Sequence, residues 1–120
     1  MDRLEELFGR QLSLQKLIVR NFNDMTLERA LTTGNIQAKE ELTKDLLLHL
    51  SDEIHEILRE TNFRRHNTKN KKINLLKIHE EIVDAAHFLI VISLIWGLDV
   101  NSFYREFIRK NNKNIKKFSR

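Results

Sequence analysis

The stretch HEEIVDAAHFLIVISLIWGL, residues 79–98, decides the fold. It joins three carboxylates, Glu80, Glu81 and Asp84, to the most apolar run in the chain, residues 85–98. That run is shorter than the roughly 20 residues a transmembrane helix needs, so it predicts a buried core helix. Charged groups are costly to remove from water unless a partner compensates them. Acids directly beside the core are therefore expected to have a cationic partner.

The composition favours an all-α protein. The 120 residues contain no proline and only three glycines, so helix breakers are scarce. Cysteine is absent, which excludes disulfides and thiolate metal sites and favours a reducing, cytoplasmic location. The formal net charge of +4 suggests anionic ligands without identifying them. We expect one domain over residues 1–120, with no secretory signal in MDRLEELFGRQ and no membrane association.

Hydrophobic periodicity predicts a bundle of four to five helices. In the first helix the apolar stripe is formed by Leu4, Leu7, Phe8, Leu14, Leu17 and Ile18. Asp24 or Thr26, and later Asp99 or Asn101, are suitable N-caps, and Gly97 is a suitable C-cap. Residues 26–35 are predicted to form either a short helix or an ordered loop. The main helices are predicted at about residues 2–21, 36–61 and 73–96, and from the cap at Asp99 or Asn101 through residue 118.

Two helices each place a pair of carboxylates next to apolar positions. Glu81 and Asp84 share a strip with Phe88, Val91 and Ile95, because their spacing is i, i+3, i+7, i+10, i+14. In the preceding long helix, Glu53 takes an apolar position of the seam Leu46, Leu50, Glu53, Ile57, and Glu56 lies one turn further on.

Antiparallel packing of these helices would bring the four carboxylates together. Four converging anions repel one another unless a cation joins them. An all-oxygen set suits Mg²⁺, with Mn²⁺ as an alternative, and lacks the His/Cys ligands that zinc prefers. The alternative is two solvated acidic helix faces, which is the usual meaning of a single ExxE or ExxD pair.

The acidic pattern resembles the all-α nucleoside triphosphate pyrophosphohydrolases, the superfamily of MazG and the dimeric dUTPases. EEIVDAAHFLIVISLIWGLDV is most similar to the dimeric dUTPase branch, where an E-x-V-D-x-x-H-F segment recurs on the third core helix. EIHEILRETNF resembles that branch's preceding acidic helix, and Lys110, Asn111 and Asn114 match a K-N-x-x-N pattern. The connection reads FRRHN, where that branch commonly has an aromatic-basic segment ending in tryptophan.

The resemblance implies an oligomeric, Mg²⁺-dependent enzyme that cleaves a dNTP, with dUTP favoured, between the α- and β-phosphates. Glu53, Glu56, Glu81 and Asp84 would be its metal ligands. Glu56, or failing that Glu53, would take the proton from the attacking water. The nucleotide sites would lie at or near a subunit interface.

Further residues are expected to bind the substrate. Arg64, Arg65 and Lys69, between the acidic pairs, form either a phosphate clamp or an ordinary solvated loop. Asn111 and Asn114 either contact the base or sugar or reflect an Asn/Lys-rich tail. His87 is either a sugar contact, a group orienting Asp84, or a core histidine. The expected phosphate-binding residues are Arg64, Arg65, Lys69 and Lys110, and the expected base- and sugar-binding residues are Gln15 (or Gln11), His87, Phe88, Asn111 and Asn114.

Three other functions remain open at this point. A MazG-like hydrolase would act on another dNTP or on several. A nucleic-acid-binding regulator would use the basic connection and tail, although the sequence lacks interleaved aromatics and a helix-turn-helix signature. We therefore expect no stable nucleic-acid partner. The last option is a structural bundle without a ligand, in which the acids bind no metal or substrate.

Overall fold

The computed structural model describes residues 2–66 and 69–119, which form five α-helices. The all-α prediction is confirmed, and residues 26–35, for which a loop was the alternative, contain a short helix. The predicted bounds of the long helices are correct to within about two residues, the usual uncertainty of helix ends. The helices are α1 (Arg3–Phe22), α2 (Met25–Thr32), α3 (Ile36–Arg59), α4 (Leu75–Ile95) and α5 (Val100–Phe118).

Each helix begins at an Asp or Asn whose side chain accepts a backbone N–H three residues on. Asp24 accepts from Leu27 at 3.0 Å and Asp99 from Ser102 at 2.8 Å, so Asp24 and Asp99, rather than Thr26 and Asn101, are the caps. Gly97 has φ +75°, a left-handed conformation that glycine adopts without strain, and it ends α4 as predicted.

The core lies where α2, α3 and α4 meet. Ala30, Ala38, Val91 and Ile95 form its buried centre, and small residues at the first two positions let the helices approach closely. Lys39 of α3 links the same three helices by hydrogen bonds. Its ammonium donates to the carbonyl of Ala30 in α2 at 2.7 Å and to that of Ile95 in α4 at 2.5 Å. These carbonyls belong to helix C-terminal turns, where a cation is favourable.

The buried face of α1 coincides only in part with its apolar stripe. The structure buries Phe8, Gln11 and Gln15, whereas Leu7 and Leu14 are 54% and 42% exposed. The buried positions follow i, i+3, i+7, which is a helical face about one residue away from the apolar stripe. The polar amides of two glutamines thus turn inward, and the leucines remain on the surface of the protomer.

The single chain exposes far more surface than a compact protein of its mass. Its accessible surface area is 9714 Å², whereas roughly 6,800 Å² is expected for a compact 14.4 kDa monomer. Its radius of gyration is 17.7 Å, against about 14 Å for a compact chain of this length. Much of the excess comes from α5, which buries no residue in the part of the chain that the structure describes.

Within residues 2–66 and 69–119, no single helix has the length and hydropathy needed to cross a membrane. Helices α4 and α5 meet the criteria only when taken together, and they are bent by 109° at their junction.

Candidate nucleotide and metal site

Helices α3 and α4 bring carboxylates from both acidic pairs together. Glu53 of α3 and Glu81 and Asp84 of α4 each offer an oxygen atom, and these three atoms lie within 4.8 Å of one another. Glu81 is 5% exposed, Glu53 is half-buried and Asp84 is exposed. The convergence expected from helix periodicity is therefore present for these three acids, with Asp84 at the rim and not in the buried strip.

Two oxygen atoms of this cluster have no hydrogen-bond partner. Among the described residues, Glu53 Oε2 and Glu81 Oε2 are the buried side-chain oxygens or nitrogens that lack one. A buried carboxylate oxygen without a donor is costly, and two side by side repel each other. Such oxygens are suited to share a proton or a cation.

The carboxyl groups in and beside the cluster differ in the direction of their pKa shifts. Burial, followed by contact with Glu81 and the charges of Glu56 and Asp84, raises the pKa of Glu53 to about 7. A hydrogen-bonding contact with Glu81 raises the pKa of Glu56. The same contact with Glu56 lowers the pKa of Glu81, so Glu81 is the group that keeps its charge.

Glu56 lies on the far side of Glu81 and outside the group of three. It lines a cavity of about 250 Å³ with Arg59, Glu60, Lys77 and Glu81. Lys77 Nζ lies 3.5 Å from Glu81 Oε1. This cation was not among the predicted site residues, although its i, i+4 spacing to Glu81 on one helix could have revealed it.

On the other side of the cluster, Glu53 and Asp84 line a cavity of about 380 Å³. This volume falls in the range of small-molecule sites. The cavity contains the predicted base- and sugar-binding residues of α1 and α4, and it adds the apolar residues that the sequence did not assign to a site. Its other lining residues are Gln11, Leu14, Gln15, Ile18, Leu46, His87, Phe88 and Val91.

His87 and Phe88 of α4 are not simple core residues. His87 is exposed at the cavity, so the interpretation of it as a core histidine is wrong. Phe88 stacks on the His49 ring of α3, with centroids 5.9 Å apart and an interplanar angle of 10°. This stacking holds one wall of the cavity at the junction of the two acid-bearing helices.

The basic connection forms a separate cavity of about 340 Å³, and Arg64 and Lys69 are among its lining residues. Arg59 lines this cavity as well as the one that contains Glu56 and Glu81. Asn62 closes the connection by exchanging hydrogen bonds with the backbone of Lys71 at 2.9 and 3.0 Å. Arg65 is exposed and is not among the residues lining the basic cavity.

The remaining predicted residues lie on α5, apart from the acids. Lys110, Asn111 and Asn114 line a cavity of about 290 Å³ together with Phe103 and other residues near the start of α5. This cavity shares no lining residue with the cavity that contains Glu53 and Asp84. The chain therefore groups Gln15, His87 and Phe88 with the acids, and holds the K-N-x-x-N residues elsewhere.

Comparison with known families identifies a family that covers nearly the whole chain. A family model described as dUTPase matches residues 3–119, which is nearly the whole chain. No curated protein and no solved structure matches the chain. The match extends from the start of α1 to the end of α5, and so includes every cavity described above. The chain thus belongs to the all-α dUTPase family, in the dimeric dUTPase-like branch that the acidic segments resemble.

Proposed function

We propose that this protein is a Mg²⁺-dependent pyrophosphohydrolase of a deoxynucleoside triphosphate, with dUTP the favoured substrate. It would release dUMP and pyrophosphate, using residues 1–120 as one catalytic domain. The observation that carries this proposal is the position of the acids relative to the cavities. The acids lie between a cavity with amide and aromatic walls and a cavity pair lined by Arg59, Lys77 and the basic connection.

The acidic cluster fits a hard divalent cation. Its donors are all carboxylate oxygens, and three of them are already within 4.8 Å of one another. The unpartnered Oε2 atoms of Glu53 and Glu81 supply the unmet coordination that such an ion satisfies. Glu53, Glu81 and Asp84 would hold it, with Glu56 beside them. When bound, Mg²⁺ or Mn²⁺ would neutralise phosphate charge and polarise the bond to be broken.

A general base is available within the same cluster. Glu56 remains our first choice and Glu53 our second, as the sequence suggested. Both carboxylates have a raised pKa, which places their proton affinity closer to neutral pH than that of an ordinary glutamate. The carboxylate that is not bound to the cation would take the proton from a water molecule attacking a phosphorus atom.

The larger cavity suits a pyrimidine nucleoside. Gln11 and Gln15 are both 7% exposed, and each side-chain amide carries a donor and an acceptor. Uracil presents two carbonyl acceptors and one N–H donor on its edge, which such amides complement. Phe88 offers a face for the base, and His87 lies where it can contact the sugar.

The phosphates would extend from the acids toward the basic side. Arg59 and Lys77 flank Glu56 and Glu81, and the cavity of the connection begins at Arg59. An arginine can bind a phosphate with two parallel hydrogen bonds. Arg64 and Lys69, which line that cavity, would accordingly bind the β- and γ-phosphates and the pyrophosphate product, and Arg65, exposed beside them in the sequence, would assist.

A homo-oligomer is part of the proposal, because one chain leaves too much surface uncovered. The excess over a compact monomer, roughly 2,900 Å², is more than enough for the interface of an obligate oligomer, in which each subunit buries roughly 1,000–2,500 Å² or more. Exposed apolar residues supply that surface on both acid-bearing helices, including Leu47, Ile54 and Leu58 of α3 and Ile82 and Leu89 of α4.

A panel of dNTPs tests the proposed substrate. The purified protein is incubated with dUTP, dCTP, dTTP, dATP and dGTP in the presence of MgCl₂, and the nucleotide products are separated. We expect dUTP to be the best substrate. Equal turnover of all five would reject the uracil preference and favour a MazG-like hydrolase. Absence of turnover, with salt-sensitive DNA binding, would favour the nucleic-acid-binding alternative.

A further inference from the structure

The acidic cluster has a cationic side chain of the protein beside it. Lys77 Nζ lies 3.5 Å from Glu81 Oε1, and the side chain of Glu81 is 6% exposed. The other oxygen of this carboxyl group, Glu81 Oε2, is buried and has no hydrogen-bond partner among the described residues. The same carboxyl group belongs to the cluster with Glu53 and Asp84. Glu81 therefore connects Lys77 directly with the proposed metal site.

Lys77 is positioned by helix α4 and not by the basic connection. Asn74 caps this helix, and its side chain accepts the backbone N–H of Lys77 at 3.2 Å. Lys77 thus lies in the first turn of α4, at i, i+4 from Glu81. Its side chain is 49% exposed, and its ammonium is carried on a flexible four-carbon stem. The ammonium can therefore turn from Glu81 toward a ligand while the backbone stays fixed.

The cavity beside the cluster places Lys77 on the path of a polyphosphate chain. Lys77 and Arg59 both line this cavity, whose volume is about 250 Å³. That volume is below the range of sites for drug-sized ligands, so it suits a diphosphate group better than a nucleoside. Lys77 contacts the cluster, whereas Arg59 continues into the cavity of the basic connection. A triphosphate extending from the acids to the connection would meet Lys77 first.

The charges of this cavity predict that a phosphate group enters it only with a metal ion. The cavity contains three acids, Glu56, Glu60 and Glu81, and the two bases Arg59 and Lys77. Phosphate oxygens would be repelled by this excess of acids unless a cation on the cluster cancels part of it. Pyrophosphate is therefore expected to bind in the presence of MgCl₂ and not in EDTA.

We infer that Lys77 is a catalytic residue that contacts the pyrophosphate leaving group of the nucleotide. The inference rests on the proposed function and assigns a role within it. As the water oxygen bonds to the α-phosphorus, the bond from that phosphorus to the α,β-bridging oxygen breaks, and its electron pair stays on the pyrophosphate. One proton of the water passes to the carboxylate base. The ammonium of Lys77 keeps its own proton and neutralises the charge that the bridging oxygen gains.

Product binding tests this contact separately from turnover. Titration calorimetry measures the dissociation constants of pyrophosphate and of dUMP, each with MgCl₂, for the wild type and for Lys77→Met. We expect the Kd of pyrophosphate to rise about tenfold, as the loss of one hydrogen bond to a charged group would cause. The Kd of dUMP should change by less than about twofold, because dUMP lacks the leaving group. A lysine that only held Glu81 in place would affect both products.

Steady-state kinetics test the catalytic role. Lys77→Met should lower kcat for dUTP by about 100-fold, the usual effect of removing one group that stabilises transition-state charge, with a smaller change in KM. Lys77→Arg keeps the cation and should recover a rate within about tenfold of the wild type. Lys44→Met removes the same charge from an exposed position of α3 and should leave kcat and both dissociation constants unchanged. All three variants should fold, since exposed lysines contribute little to stability.

The two experiments distinguish failure of the inference from failure of the proposed function. Unchanged pyrophosphate binding or unchanged kcat in Lys77→Met would overturn the inference. Equal weakening of pyrophosphate and dUMP binding would do the same, and so would a wild type that binds no pyrophosphate with MgCl₂. If Lys77→Met weakens pyrophosphate binding but the wild type hydrolyses no dNTP, the contact with pyrophosphate stands and the proposed function fails.

Discussion

Glu53 on α3 and Glu81 on α4 face each other with a buried Oε2 atom apiece, and no described residue donates a hydrogen bond to either atom. Among the described helices, α3 and α4 pack against each other most extensively, so this contact is held by the core and not by a loop. Two adjacent buried carboxylate oxygens without a donor destabilise a protein unless they share a proton or a cation. The first two predictions follow from that relationship.

Neutralising one acid should abolish activity without harming the fold. We expect Glu53→Gln, Glu81→Gln and Asp84→Asn each to reduce kcat/KM for dUTP by about 100-fold or more, since each removes charge from the reacting centre. Their metal-free melting temperatures should equal or exceed that of the wild type, because repulsion is relieved. Glu80→Gln, at an exposed position beside the cluster, is the matched control and should keep wild-type activity. A cluster variant with full activity would show that the site lies elsewhere.

The metal-free protein should lose stability as pH rises. In the folded state the pKa of Glu53 is raised to about 7, from an ordinary value of 4.5. The folded chain thus holds a proton that the unfolded chain releases, and the stability this provides is complete below pH 4.5 and is lost as pH rises through about 7. Thermal melts from about pH 5 to about pH 8 in EDTA should fall more steeply for the wild type than for Glu53→Gln.

Mg²⁺ is the control for that pH series. Because the ion replaces the shared proton, adding MgCl₂ should raise the melting temperature most at the alkaline end and only in proteins with an intact cluster. Equal slopes for the wild type and Glu53→Gln, with no effect of Mg²⁺, would argue for a structural bundle without a ligand.

Lys39 should be important for stability and not for chemistry. Its ammonium bonds the carbonyls of Ala30 and Ile95, so Lys39→Met should lower the free energy of unfolding by about 1.5–3 kcal/mol, the usual value of a hydrogen bond to a charged group. Lys44→Met, at an exposed position of the same helix, should change it by less than about 0.5 kcal/mol. Urea unfolding of both variants measures the difference, and equal stabilities would show that the two bonds contribute nothing.

The glutamines of α1 should determine how the base is bound. We expect Gln15→Leu, which keeps the side chain's volume but removes its amide, to raise KM for dUTP roughly tenfold, as the loss of one hydrogen bond of about 1.4 kcal/mol would. The effect on kcat should be smaller, because the amide is remote from the bond that breaks. Gln37→Leu, exposed on α3, serves as the control. An unchanged KM would place the base in a different cavity.

Periodicity predicted the parts of this molecule that lie on regular helices. The register of Glu53, Glu81 and Asp84 follows from 3.6 residues per turn, and so their convergence could be predicted from the sequence. The N-caps of α2 and α5 could each be predicted to within two candidates, Asp24 or Thr26 and Asp99 or Asn101, because such side chains are favoured at this position; the structure shows that Asp24 and Asp99 are the caps.

Features that depend on how the helices pack against one another could not be predicted from the sequence. In α1 the apolar stripe and the buried face differ by about one residue, since α1 turns Gln11 and Gln15 toward the cavity and leaves Leu7 and Leu14 exposed. Similarly, the K-N-x-x-N residues were expected near the acids, and the position of α5 relative to the other helices, which no sequence period encodes, places them in another cavity.

The most direct test of the account is identification of the products formed from dUTP by the purified protein with MgCl₂, separated by anion-exchange chromatography, beside the same reaction with Glu81→Gln. The account predicts dUMP and pyrophosphate in equal amounts from the wild type, and almost none from the variant. Formation of dUDP and phosphate, no turnover by the wild type, or undiminished turnover by Glu81→Gln would contradict it.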